Sequence, residues 1–169
     1  MKKILFSLIV ITTIISCSTK TETKIIANKV DIHQFGVDYD SSANIDAIKA
    51  TNKDLENLDT TSYKTKYSDT VVFYDHQKNH NLNWNMGIFK NWIAKKIQPK
   101  VFVGAIWGSK FNYKDGSNGD FVYQAISMKF TQGTKSVTFD DFIVYEFKEG
   151  KIIKEWNWYD PTNLLPLMK

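Results

Sequence analysis

Asp141, Glu155 and Asn157 are the residues of this chain whose type and setting suit them to chemistry. They lie in VTFDDFIVYEFKEGKIIKEWNWYD, residues 137–160, where two runs rich in Val, Ile, Phe, Tyr and Trp flank Lys148-Glu149-Gly150. A carboxyl held between Phe139 and Ile143, as Asp141 is, is partly desolvated. That favours the neutral form, raises its pKa, and makes it usable as an acid or base near neutrality. Glu155 is its candidate partner, and Tyr123 and Tyr145 are candidate hydroxyl donors whose competing role is core packing. For Asp141 the competing role is to cap a turn or pair with a lysine near a sheet edge. Its neighbour Asp140 is the alternative inward carboxylate, since a bulge would exchange the two.

These residues need a β-hairpin to position them. Gly150 supplies a left-handed backbone position, and Lys-Glu suits a right-handed turn, so the spacing predicts a three-residue loop with a bulge. Phe147 then pairs with Lys151, Tyr145 with Ile153, Ile143 with Glu155, and Asp141 with Asn157. One face carries Val137, Phe139, Asp141, Ile143, Tyr145 and Phe147 with Ile153, Glu155, Asn157 and Tyr159. A two-residue loop is the alternative and would bring Trp156, Trp158 and Asp160 alongside Asp141.

Earlier elements follow from periodicity. Ile45, Ile48, Leu55 and Leu58 recur at helical spacing over residues 42–58, with Ser41 or Ser42 as N-cap, and a short helix or turn follows through Tyr63. Residues 69–75 read as a strand. Residues 81–97 give a second long helix with Asn83 as cap, Pro99 as stop, and Ile88, Phe89, Trp92, Ile93 and Ile97 on one face. Trp84 and Trp92 are candidates to line a pocket, although aromatics at this spacing more commonly build core. Strands follow over 101–111 and 121–130, with a turn-rich loop at 112–119, and residues 163–168 form a short packed tail. Asp75, His76 and His80 invite a metal reading, but their setting between a strand and a helix looks like loop, and no metal site is expected.

The segment Phe147-Lys148-Glu149-Gly150-Lys151-Ile152, with Glu155-Trp156-Asn157 and Tyr159-Asp160-Pro161, resembles the last hairpin of the nuclear transport factor 2-like superfamily. Within it the SnoaL-like, polyketide-cyclase branch is the most similar. The resemblance spans about residues 42–165 and implies an α+β cone, with N-terminal helices packed on a strongly curved, mostly antiparallel sheet around a pocket open at one end. Members include isomerases, dehydratases, cyclases and epoxide hydrolases, and many only bind. In the cyclase and limonene-epoxide-hydrolase branches a functional Asp occupies the position held here by Asn157, and an amide cannot act as that base. Asp160 matches a recurrent family aspartate with a structural role. The chain contains no arginine, so the Arg-and-Asp arrangement of epoxide hydrolysis is absent.

The N-terminus reads differently. Met1-Lys2-Lys3 is a positive n-region, Ile4 to Ile15 is an apolar run of signal-peptide length, and Ile14-Ile15-Ser16-Cys17 ends it at the only cysteine. That order resembles a bacterial lipobox, which implies cleavage before Cys17 and its lipidation; an ordinary signal peptide with an incidental cysteine is the alternative. The expected organisation is a signal peptide at 1–16, a lipid-anchored, Thr/Lys-rich flexible tether at 17–30 and one SnoaL-like domain at 31–169. Ser18, where inner-membrane retention signals carry Asp, favours the outer membrane of the cell envelope. With Cys17 used, no disulfide or catalytic thiol remains.

With 43% hydrophobic and 14% aromatic residues the chain has ample core for one domain. The formal charge of +4 includes lysines of the signal peptide and tether, and no basic cluster interleaves with aromatics, so nucleic acid is an unexpected partner. No nucleotide, haem or flavin signature is present, so no cofactor is expected.

Two functional classes remain. In the first, a binding module, a small apolar or amphipathic ligand is oriented by Asp141, Asn157, Tyr123, Tyr145 and Trp84. In the second, an acid–base enzyme, Asp141 and Glu155 are catalytic and move a proton on a hydrophobic substrate, as in isomerisation, dehydration or cyclisation. The sheet face with Trp156 and Trp158 needs cover, which a homodimer or assembly role supplies.

Overall fold

In the computed structural model of the chain, residues 34–76, 78–164 and 167 are described. The signal peptide, Cys17 and the tether lie outside the described residues. The elements run β1 Gln34–Tyr39, α1 Ala43–Glu56, α2 Thr60–Lys64, β2 Tyr67–Asp75, β3 Lys78–His80, α3 Leu82–Ala94, β4 Gln98–Tyr113, β5 Asn118–Gln132, β6 Lys135–Lys148 and β7 Lys151–Tyr159, closed by a 3₁₀ turn at Pro161–Leu164.

Local chemistry explains where the helices start. Ser42 accepts a hydrogen bond from Ile45 N at 3.1 Å and so caps α1. Ile45, Ile48 and Thr51 then fall on one buried stripe, and the Thr51 hydroxyl satisfies itself on Ala47 O at 2.8 Å. The cap of α3 is Asn81, which accepts from Trp84 N at 3.0 Å, and not Asn83. That helix ends earlier than the periodicity indicated, with Lys96 in the left-handed region at φ 54°. Phe89 is buried as expected, whereas Ile93 is 50% exposed, because the α3 stripe that meets the sheet is narrower than its apolar content.

The strands form one mixed sheet ordered β1-β4-β5-β6-β7-β2-β3, in which only β2 and β7 run parallel. The fold is α+β, with helices packed on a curved, mostly antiparallel sheet. Register shifts in the β4–β5, β6–β7 and β2–β7 pairs mark the irregularities that bend its strands. Phe73, Phe89, Phe130, Ile45, Ile48 and Ile152 are fully buried between helices and sheet, each contributing on the order of 1.5–3 kcal/mol.

The hairpin departs from the expected register in an instructive way. Its loop is the two-residue Glu149-Gly150, both at positive φ (52° and 73°), with Lys148 opposite Lys151. This is the geometry of a type I′ turn, which matches the right-handed twist of the strands and outweighs the poor fit of Glu to a left-handed position. A bulge at Ile153 follows at once, so Glu146 pairs with Lys154 while Phe147 pairs with Ile152. The extra residue restores the parity that the short turn removes. Glu155, Asn157 and Tyr159 therefore do share the face of Asp141, but the partners are Tyr145 with Glu155, Ile143 with Asn157, and Asp141 with Tyr159. Near the turn Ile152, not Ile153, is the buried residue.

Strand β1 was not legible in QFGVDY. It pairs with β4 with Tyr39 opposite Gly108, and the Tyr39 ring occupies the space a Cβ at Gly108 would need. The Tyr39 hydroxyl donates to the Asp120 carboxylate. Residues 78–80, read as loop, form the short strand β3 against β2.

Candidate functional site

Period-two alternation in the four central strands builds the site. Along β5 the inward residues are Val122, Gln124, Ile126 and Met128; along β6 they are Phe139, Asp141, Ile143 and Tyr145. The ladders align these into adjacent rungs: Ile126–Asp141–Tyr159, then Gln124–Ile143–Asn157–Asp75, then Val122–Tyr145–Glu155–Phe73. Asp75, Asp141, Glu155 and Asn157 thus converge on one concave face from three strands. Asp140 points the other way and is exposed.

Above this face the helices leave a cavity of about 130 Å³. Its floor includes Asp75, Asp141, Tyr145, Glu155 and Asn157, and Trp84, Phe89 and Trp92 of α3 wall it. The volume is close to the ~150 Å³ that holds a benzene-sized molecule. Trp84, 37% exposed, stacks on His80 with ring centroids 3.6 Å apart.

Glu155 is the most deeply set carboxyl. Its Oε2 accepts from the Tyr67 hydroxyl at 2.7 Å and its Oε1 from Asn157 Nδ2 at 3.2 Å. The Tyr67 and Tyr63 hydroxyls stand 2.8 Å apart, extending the chain of polar groups under α2. Burial pushes the Glu155 carboxyl up to about 7, against the opposing pull of Tyr67 and Asn157. Burial likewise raises Asp141 to about 7, although Trp158 N donates to its Oδ1 at 3.1 Å and favours the charged form. Asp75 adds to both shifts by like-charge repulsion, and Asp141 adds to that of Glu155. Two carboxyls poised between neutral and ionised forms therefore share one small, aromatic-walled space, an arrangement able to orient a polar head or exchange a proton with it.

Several of the other polar groups satisfy one another. Gln124, fully buried, exchanges hydrogen bonds with Asn52 of α1 at 2.7 and 3.3 Å, and its Nε2 reaches the Tyr145 hydroxyl at 3.5 Å. The Tyr159 hydroxyl donates to Asp75 Oδ2 at 3.2 Å. Asp160 lies outside the cavity and accepts from Thr162 N and Oγ1 at 2.9 and 2.6 Å, a capping role.

Of the residues named from sequence, Asp141, Glu155, Asn157, Tyr145 and Trp84 meet in the cavity lining. Tyr123 does not. Its place in the β5 alternation turns it to the opposite face of the sheet, where it stacks on Trp107 at 5.3 Å. Asp75, Tyr63, Tyr67, Asn52 and Gln124 were missed as site groups. For Asp75 a signal existed, because Val71, Phe73 and Asp75 alternate along one strand; the helix-to-sheet amide pair leaves none. Asp75, His76 and His80 do not converge: His76 Nε2 is 3.3 Å from Asp75 Oδ1, while His80 lies on Trp84. No three His, Cys, Asp or Glu side chains gather as a metal site among the described residues.

No protein-family model and no curated protein matches the chain. Solved structures do. An LEH-like epoxide hydrolase from M. tuberculosis superposes with a TM-score of 0.57 at 16% identity, covering 74% of this chain and 88% of its own. A SnoaL-like polyketide cyclase from Agrobacterium tumefaciens gives 0.54 at 14%, covering 76% and 100%. An NTF2-like protein of unknown function from Burkholderia pseudomallei gives 0.60 at 11%, covering 76% and 99%. At these identities the likeness speaks for architecture, and the architecture is the nuclear transport factor 2-like cone.

Proposed function

We propose that the cone binds a small apolar or amphipathic ligand, oriented by Asp141, Glu155, Asn157 and the Tyr145 hydroxyl. The observation that carries this reading is the cavity itself, in which these polar side chains share the lining with aromatic walls. Native mass spectrometry of the protein, as purified and after exposure to a lipid and small-metabolite extract, tests it. A retained mass that is lost in Asp141→Ala and Asn157→Leu is the expected result; no bound mass under any condition would overturn it.

A second reading is acid–base catalysis of the isomerase, dehydratase or cyclase type. It is favoured by the two carboxyls raised to about 7, and the solved cyclase and hydrolase of the same fold make it chemically reasonable. Against it, Asn157 stands where the resemblance places a functional Asp. NMR titration placing both carboxyls near 4 would remove it.

The sequence of residues 14–17 supports a lipid anchor on Cys17 in the bacterial cell envelope, and Ser18 supports the outer membrane. Radiolabelled palmitate incorporation abolished by Cys17→Ser is the expected outcome. A homodimer through the outer sheet face is also proposed, supported by Trp158 at 55% and Phe142 at 37% exposure. Trp156 is less available, since Tyr74 stacks on it at 5.1 Å. Sedimentation showing a clean monomer would reject that interface.

A further inference from the structure

The charge balance of the cavity lining says more about its occupant than its size does. Among the described residues the lining brings in three carboxyl groups, Asp75, Asp141 and Glu155, and no lysine or histidine, His76 approaching Asp75 from outside it. None of the groups that act on Asp141 or Glu155 is a cation; those that raise them are burial and the other carboxyls. A buried carboxylate without a positive partner is costly to charge, so the free site holds electrostatic energy that a cation would release.

A second, independent observation concerns hydrogen bonding. Asn85 of α3 also lines the cavity; its side chain hydrogen-bonds the Tyr63 hydroxyl, while its Oδ1 is buried with no hydrogen-bond partner among the described residues. An acceptor left empty in this way calls for an N–H or O–H from the occupant. The Asp75 Oδ1 atom is similarly buried without a hydrogen bond, although His76 approaches it at 3.3 Å. The lining is therefore rich in acceptors on opposite sides, one on the helix and the others on the sheet.

The walls supply the third element. Trp84, Trp92, Phe89 and Phe139 surround the space, and aromatic faces attract an ammonium group as well as packing a ring. The cavity admits about one ring or a short chain, which excludes a multi-ring ligand unless α3 moves.

We propose that the ligand of this cavity is a small primary or secondary amine. Its ammonium head is held between the carboxylates of β2, β6 and β7 and the Asn85 carbonyl oxygen, and its single ring or short chain lies against the aromatic wall. This rests on the ligand-binding reading above and adds the chemical class.

The probes are benzylamine, its neutral counterpart benzyl alcohol, the anionic counterpart benzoate, and toluene as a shape control. Calorimetric titration of the full protein at pH 7.5 is expected to show benzylamine binding at least tenfold tighter than benzyl alcohol, with no saturable benzoate binding. In the wild type, benzylamine is expected to shift the NMR signals of the Asn85 side-chain amide and the Trp92 indole. In Glu155→Gln the preference for benzylamine over benzyl alcohol is expected to fall about tenfold. Should that variant fail to fold, the wild-type chemical-shift map decides alone. If benzyl alcohol binds as tightly as benzylamine, or if benzylamine shifts only surface signals, the amine inference is overturned while the ligand site stands. If none of the four probes enters, toluene included, the binding reading falls with it.

Discussion

Replacing Asp141 by Asn should change how stability depends on pH far more than it changes stability at acid pH. The Asp141 carboxyl is raised from 3.8 to about 7 by burial, so the folded state holds its proton over a range where the unfolded chain has released it. A raised folded-state pKa gives stability that is full below the unfolded value and lost as pH rises through the folded one. The span of about three pKa units corresponds to at most ~4 kcal/mol, all lost above about pH 7. Asn is a neutral isostere, and its Oδ1 can still accept from Trp158 N. Asp141→Asn should therefore match the wild type near pH 4 and exceed it by roughly 2–4 kcal/mol at pH 8.5. Urea unfolding of both proteins from pH 4 to 8.5 measures this, and taking the difference cancels titration of groups common to the two. A wild-type-minus-variant difference that does not vary with pH would refute the burial argument. Glu155→Gln should follow the same course, and because Asp141 contributes to the rise of Glu155, the double variant should gain less than the sum.

Other substitutions probe the scaffold. Glu149→Asn should stabilise the protein by about 0.5–1 kcal/mol in urea unfolding, because Glu149 sits at φ 52° in a turn that prefers Asn-Gly. Gly108→Ala should cost about 1–3 kcal/mol and unpack β1, since its Cβ would meet the Tyr39 ring; faster hydrogen exchange along β1 would report it. Phe89→Ala should lower stability by about 3–5 kcal/mol, as its ring, 1% exposed, packs on Tyr63 and Trp92. A loss under 1 kcal/mol would mean that the cavity wall collapses onto the sheet.

Alternation sets out the two faces of the final hairpin, and the parity of the turn reading places Glu155 and Asn157 on the same face as Asp141. The exact partners could not, because a two-residue turn and a bulge at Ile153 each shift the ladder and cancel in parity. Local turn chemistry favours a right-handed turn at Lys148-Glu149, whereas the twist of two long strands selects the left-handed pair Glu149-Gly150. The helices were legible because Ile45, Ile48 and Phe89 recur at their natural spacing; the end of α3 and the exposure of Ile93 depend on what it packs against. Tyr123 was misplaced because its face follows from pairing with β4 and β6, a long-range fact. Asn52 with Gln124, and Asn85 above the cavity, come together only through the docking of α1 and α3 on the sheet.

The most direct test is a crystal structure of the protein grown with saturating benzylamine. The predicted result is a ring against Trp84 and Trp92, with the ammonium nitrogen within hydrogen-bond distance of Asp141 or Glu155. A cavity found closed by side-chain packing, with both carboxyls turned to protein partners and no bound molecule, would contradict the account.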